Sequence, residues 1–126
     1  MGKFRSFEEI NSWQKARQIN KKIYLVTSSN AFKNDFDLAR QIRRASVSIS
    51  SNIAEGFERN TDKEFIHFLF IAKASAAEVR SQLYLAFDLN YISIEDFNQL
   101  QAEIIDISKL LSGFIKYLNK QVISPL

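Results

Sequence analysis

The sequence contains no cysteine, which excludes disulfides, thiolate metal sites and cysteine nucleophiles. Its single histidine, His67, rules out a His-rich metal site and any mechanism needing two imidazoles. One proline, Pro125, and three glycines, Gly2, Gly56 and Gly113, are too few breakers for a β-sandwich or barrel, where turn signals recur every ~8–12 residues. No apolar run approaches the ~18 residues of a membrane span. The opening Met1-Gly2-Lys3-Phe4-Arg5-Ser6 leads into polar residues rather than the apolar core of a signal peptide. The expectation is a cytoplasmic protein with no membrane association.

What is present is an ordinary globular composition over 126 residues, with 46% hydrophobic and 25% charged side chains. Eleven phenylalanines raise the aromatic content to 13%, which points to a large core or to an apolar surface for a partner. The net charge of +3 is unevenly spread, with seven Lys/Arg against three Asp/Glu in residues 1–36. That basic excess at one end favours an anionic partner.

Apolar spacing predicts four helices, near 7–29, 37–58, 62–89 and 94–120, forming a single all-α domain over 1–126. In the first, Ile10, Trp13, Ala16, Ile19, Ile23 and Val26 recur in steps of three and four, so they share one helical face; Asn20 falls within it. Ser6 and Glu9 read as a capping box, as do Thr61 and Glu64 ahead of the third helix. Ser93 reads as the cap of the fourth, with Asp96 at its third position. The second helix carries Leu38, Ile42, Ala45, Ile49, Ile53 and Gly56. The third carries Phe65, Leu69, Ala72, Ala76, Val79, Leu83 and Phe87, and stops near Asn90, which tolerates a left-handed C-terminal conformation. The fourth, from Phe97 to Leu118, has an unbroken seam of coiled-coil type. Short links between long helices favour antiparallel neighbours, hence an up-down-up-down four-helix bundle.

Two helices carry a second apolar face. On the second it comprises Ala39, Ser46, Ser50, Ala54 and Phe57, interrupted by Arg43; on the third it comprises Ile66, Phe70, Ala74, Ala77 and Tyr84. A helix apolar on two faces is buried on two faces. Either one wide bundle core covers both, or the chain self-associates through these helices, which makes the same eleven residues candidates for an oligomer interface.

Reactive groups do not converge. Arg59 and His67 stand too far apart for the Arg–His pair of some four-helix ribonucleases. No Glu-x-x-His pair, phosphate loop or nucleophile elbow occurs. The serines Ser46, Ser48, Ser50 and Ser51 have no base in sequence reach and read as helix spacers. The expectation is a protein that is not an enzyme and uses no metal or cofactor.

The segment Ser48-Ile49-Ser50-Ser51-Asn52-Ile53-Ala54-Glu55-Gly56-Phe57-Glu58-Arg59 resembles the signature of the bacterial four-helix-bundle family of 23S rRNA intervening-sequence proteins. Trp13-Gln14-Lys15-Ala16, the run Leu38 to Ala45, and Glu64-Phe65, Phe68-Leu69, Ile71-Ala72, Ser75 and Glu78 are similar to further blocks of that family. Ala74 departs from it, standing where a glycine is usual before the serine. The resemblance implies a bundle assembled as a ring-shaped homopentamer, of mostly uncharacterised function. A relative of that family is the accessory protein of diversity-generating retroelements, a basic pentamer that binds a reverse transcriptase and nucleic acid, a role that would come to this sequence by analogy. Asn52, Glu55 and Gly56 are read as structural members of the signature.

Two functional classes follow. The first is a non-enzymatic oligomer that binds RNA or DNA, with scope to act as an adaptor for a nucleic-acid enzyme such as a reverse transcriptase. Its candidate contacts are Lys15 and Lys22 on one side of the first helix, Arg17 and Lys21 on the other flank, and Arg40 with Arg44 on the second, repeated by the ring. The second is a protein-interaction scaffold with no direct nucleic-acid role.

Overall fold

The computed structural model describes residues 4–123; residues 1–3 and 124–126 of the expected domain lie outside the described residues. It is all-α, with four helices: α1 (Asn11–Thr27), α2 (Phe36–Phe57), α3 (Asp62–Asp88) and α4 (Ile94–Ile123). Helices α1 and α3 each pack against both α2 and α4, and among the described residues the backbones of the diagonal pairs do not come close. Side-chain contacts show that the neighbouring pairs α1–α2, α2–α3 and α3–α4 are antiparallel. Asn20 of α1 meets Ser46 and Ser50 while Thr27 meets Arg43. Ser48 of α2 meets Ser75 while Gly56 lies against Phe65. Arg80 of α3 meets Gln101 while Phe65 meets Phe114. Among the described residues no helix is long and apolar enough to cross a membrane.

The predicted stripes form the core. Ile19, Ile23, Ile42, Ile49, Ile53, Leu69, Leu83, Ile104, Ile107 and Leu111 are among its fully buried side chains. Two of the three predicted caps form: Thr61 Oγ1 accepts from Glu64 N at 3.1 Å, and Ser93 Oγ accepts from Asp96 N at 3.1 Å. Asn90 has φ 63°. Tyr91 N donates to Ala86 O and Asn90 N to Phe87 O, the paired bonds of a Schellman ending.

The first helix differs from the expectation. Phe7–Glu9 make a separate 3₁₀ turn, Ile10 is extended at ψ 123°, and α1 starts only at Asn11. The Ser6 side chain caps nothing; Glu9 instead accepts from Arg5 N. The break lets Ile10 drop into the core while Phe7 sets its ring edge-on to Trp13, centroids 5.1 Å apart. The connection 28–35 is also more than a polar link. Phe32 is fully buried and packs on Tyr91 at 4.9 Å. Asp35 caps α2 through Leu38 N and accepts from the Tyr91 hydroxyl at 2.9 Å. That bond to a carboxylate, with burial and the charge of Asp35, raises the Tyr91 phenol above its ordinary pKa.

Within the α1–α2 seam, Ser46 Oγ donates to Asn20 Oδ1 at 2.8 Å, and Asn20 Nδ2 donates to Ser50 Oγ at 3.0 Å. Ser46 has no solvent exposure. Asn20→Ala should therefore leave its hydroxyl without a partner and lower stability by about 1–3 kcal/mol. Urea denaturation followed by circular dichroism measures this; an unchanged midpoint would show that the bond contributes nothing net.

Candidate nucleic-acid interface

The structure divides the six basic candidates by helix face. Lys22, half-buried, is ion-paired with Glu103 of α4. Lys15 lines a narrow cleft with Glu103 and Asp106. Both therefore lie at the α1–α4 seam, where Glu103 pairs with Lys22, and Lys22 is withdrawn from the candidate phosphate contacts; Lys15 is exposed and has no ion pair among the described residues. Arg40 stands 3.9 Å from Asp37, one turn away and more exposed still, so the pairing is weak. Arg17, Lys21 and Arg44 are exposed and have no acidic partner among the described residues. Arg17 and Lys21 lie one turn apart on α1, and Arg44 lies on α2.

The interface candidates divide as well. On α2, Ala39, Ser46 and Ser50 are buried within the chain, the two serines by bonding to Asn20. Ala54 lies beside Phe7, and Phe57 packs edge-on to Phe65 at 6.0 Å. Arg43 donates to Thr27 Oγ1 at 2.7 Å and Ser28 Oγ at 2.9 Å and lies over the Tyr24 ring at 4.6 Å. This face of α2 is thus covered within the chain, by α1 at Arg43, Ser46 and Ser50, by Phe7 at Ala54 and by α3 at Phe57, rather than being a surface for another subunit. Its small residues let α1 approach, and the arginine that interrupts them ties down the C-terminus of α1.

On α3 the outcome is the reverse. Ile66 is buried inside the chain, but Phe70 and Tyr84 are each 52% exposed, and Ala74 and Ala77 are exposed. Tyr84 makes one edge contact to Phe97, at 5.0 Å. Ile71 and Leu85, which the second stripe omitted, are exposed beside them. Between His67 and Glu78 the exposed residues of this outward face are Phe70, Ile71, Ala74 and Ala77, with the half-buried Lys73 at its edge.

Trp13, like the stripe residues Val26, Phe87 and Phe114, packs against the core but is only partly buried. It lines an open groove of about 490 Å³ with Glu8, Gln14, Arg17, Gln18 and Lys21. The available signal was the only tryptophan of the chain followed by cations at i+4 and i+8.

Comparison with known proteins bears on what this bundle is. The model of the 23S rRNA-intervening sequence protein family matches residues 8–113. The chain belongs to that family. A crystal structure from Bacteroides thetaiotaomicron, of a protein of unknown function in the S23 ribosomal protein family, is similar. It superposes with a TM-score of 0.77 at 28% identity, over 83% of this chain and 98% of that one. No curated protein matches.

In this member of the 23S rRNA-intervening sequence protein family, most of the signature block has a structural reason. Asn52 Nδ2 donates to Ser48 O at 2.8 Å and to Ser48 Oγ at 2.9 Å, and Ser75 Oγ donates to the same Ser48 Oγ at 2.9 Å. Asn52 therefore anchors a polar clasp between α2 and α3, at mid-helix and within one chain. Ile53 is core. Gly56 admits α3 at very close range, since a Cβ there would fall 2.7 Å from Phe68 Cβ. Glu55 is exposed, and nothing in the fold explains it.

Proposed function

We propose that this protein is a non-enzymatic, self-associating helical bundle that binds RNA or DNA through phosphates on the outer surface of α1 and α2. The observation carrying this reading is that Arg17, Lys21 and Arg44 are exposed without acidic partners among the described residues, whereas Lys22 in the α1–α4 seam is ion-paired with Glu103. Assembly would repeat the cluster around a ring, so that individually weak phosphate contacts add. A pentamer is the expectation from the family resemblance, and an adaptor role for a nucleic-acid enzyme such as a reverse transcriptase is compatible with such a ring. The reading requires no metal or cofactor.

Binding should be nearly indifferent to sequence and should fall steeply with salt. Lys21→Glu and Arg44→Glu should each weaken it, reducing the slope of log affinity against log salt by roughly 0.7–0.9 for every phosphate no longer neutralised. Lys22→Gln, which removes a side chain already paired with Glu103, should leave that slope unchanged. Fluorescence anisotropy over a salt series measures all three; equal binding by wild type and both Glu variants would defeat the phosphate model.

The outward face of α3 supports the second reading, a scaffold that recruits another protein. Absence of nucleic-acid retention at low salt, with one protein co-purifying at fixed stoichiometry, would favour it.

A further inference from the structure

We infer that the groove beside Trp13 takes an unpaired base of a single-stranded nucleic acid, with the indole as its stacking platform and Arg17 and Lys21 on the flanking phosphates. This rests on the nucleic-acid reading above and narrows it to one ligand class and one place. Trp13, Arg17 and Lys21 follow at intervals of four, so they line one side of α1 over two turns. The Phe7 ring meets the indole at a steep angle, centroids 5.1 Å apart, a contact that holds the indole in place. The Arg17 guanidinium lies over the indole, its carbon 5.9 Å from the ring centroid; a stacking base would take that place and leave the guanidinium to the adjoining phosphate.

Other groups complete the groove. Gln14 Nε2 is committed to the Glu8 carbonyl at 2.8 Å and forms a wall. Gln18, which lines the groove and is exposed, offers an amide to a base edge. Glu8 is the one carboxylate at the rim; against it stand two cations, so the local balance favours an anion. A volume of about 490 Å³ lies within the ~300–1,000 Å³ of small-ligand clefts. The preference for single strands follows from the platform itself. Bases inside a duplex have both faces covered by their neighbours, whereas an unpaired base offers a face to an aromatic ring.

Trp13 is the only tryptophan, so its emission reports on this groove alone. Titration of the full chain with a short oligothymidylate should quench it, while a duplex of equal length and inorganic polyphosphate should not. Trp13→Leu, which keeps an apolar side chain against Phe7 but removes the stacking face, should weaken oligothymidylate binding by about 10-fold or more, measured by anisotropy. Circular dichroism checks that it folds. Arg17→Glu, a change on the exposed surface, should weaken binding as well and reduce the quenching, which keeps the test decisive if Trp13→Leu misfolds. Oligothymidylate binding with no quenching, and with both variants at wild-type affinity, would overturn the groove while leaving the basic-surface reading intact. Equal quenching by duplex or polyphosphate would overturn base stacking. Failure of every nucleic acid to bind at low salt would remove both the reading and this inference.

Discussion

Gly56→Ala is expected to lower stability by about 1–3 kcal/mol, although alanine is intrinsically the better helix former by ~1 kcal/mol. The added methyl would sit 2.7 Å from Phe68 Cβ and 2.8 Å from Phe65 Cδ1. The first of these atoms is fixed to the backbone of α3, so no side-chain rotation relieves the clash. Helix α3 must retreat from α2 at the end where the two are joined by only four residues, 58–61, and the edge-on contact of Phe57 with Phe65 is disturbed with it. Gly113→Ala is the matched control. Nothing lies within 4 Å of a Cβ at that position, so the propensity gain of up to ~1 kcal/mol should appear undiminished. The two alanines should shift the thermal midpoint in opposite directions. A Gly56→Ala protein that melts at or above the wild-type temperature would mean that α2 and α3 do not need this close approach.

Phe70→Glu is expected to produce a fully helical protein of smaller particle mass. Phe70 is 52% exposed in the single chain, so replacing it opens no core cavity. In an assembly that covers the outward face of α3, the same substitution buries a carboxylate without a counter-charge at every interface, at a cost of several kcal/mol each. Ile66→Glu offers the contrast: Ile66 is buried within the chain, and a carboxylate there should unfold the bundle instead of dissociating it. Size-exclusion chromatography with light scattering reads the mass, and circular dichroism reads the helix content. A wild-type protein that is monomeric at micromolar concentration would remove the assembly from the proposed function.

The bundle itself was legible in the sequence because its determinants are local. A stripe such as Phe97, Leu100, Ile104, Ile107, Leu111 fixes which face turns inward whatever lies opposite. The caps at Thr61 and Ser93 depend only on side chains within one turn of the helix start. The first helix was misread at its start, because the Ile10 break exchanges a local capping box for burial of Ile10 and an aromatic contact between Phe7 and Trp13. The role of Gly56 was hidden for the same kind of reason: the sequence marks it as part of a signature, but only the position of Phe68 shows what the missing Cβ makes room for.

Sequence alone determined the helices, their inward faces and the family to which the signature belongs. Tertiary structure alone decided the sides. The lateral faces of α2 and α3 look alike as patterns, yet α1 seats on the serines of the first, whereas Phe70, Ala74, Ala77 and Tyr84 of the second stay exposed. Lys21 and Lys22 are neighbours in sequence and separated by about 100° around α1. That rotation sends one into solvent and the other onto Glu103. Periodicity sets the angle of a side chain about its own axis, but what stands at that angle depends on where the other helices pack, and that is set by contacts between residues far apart in the chain.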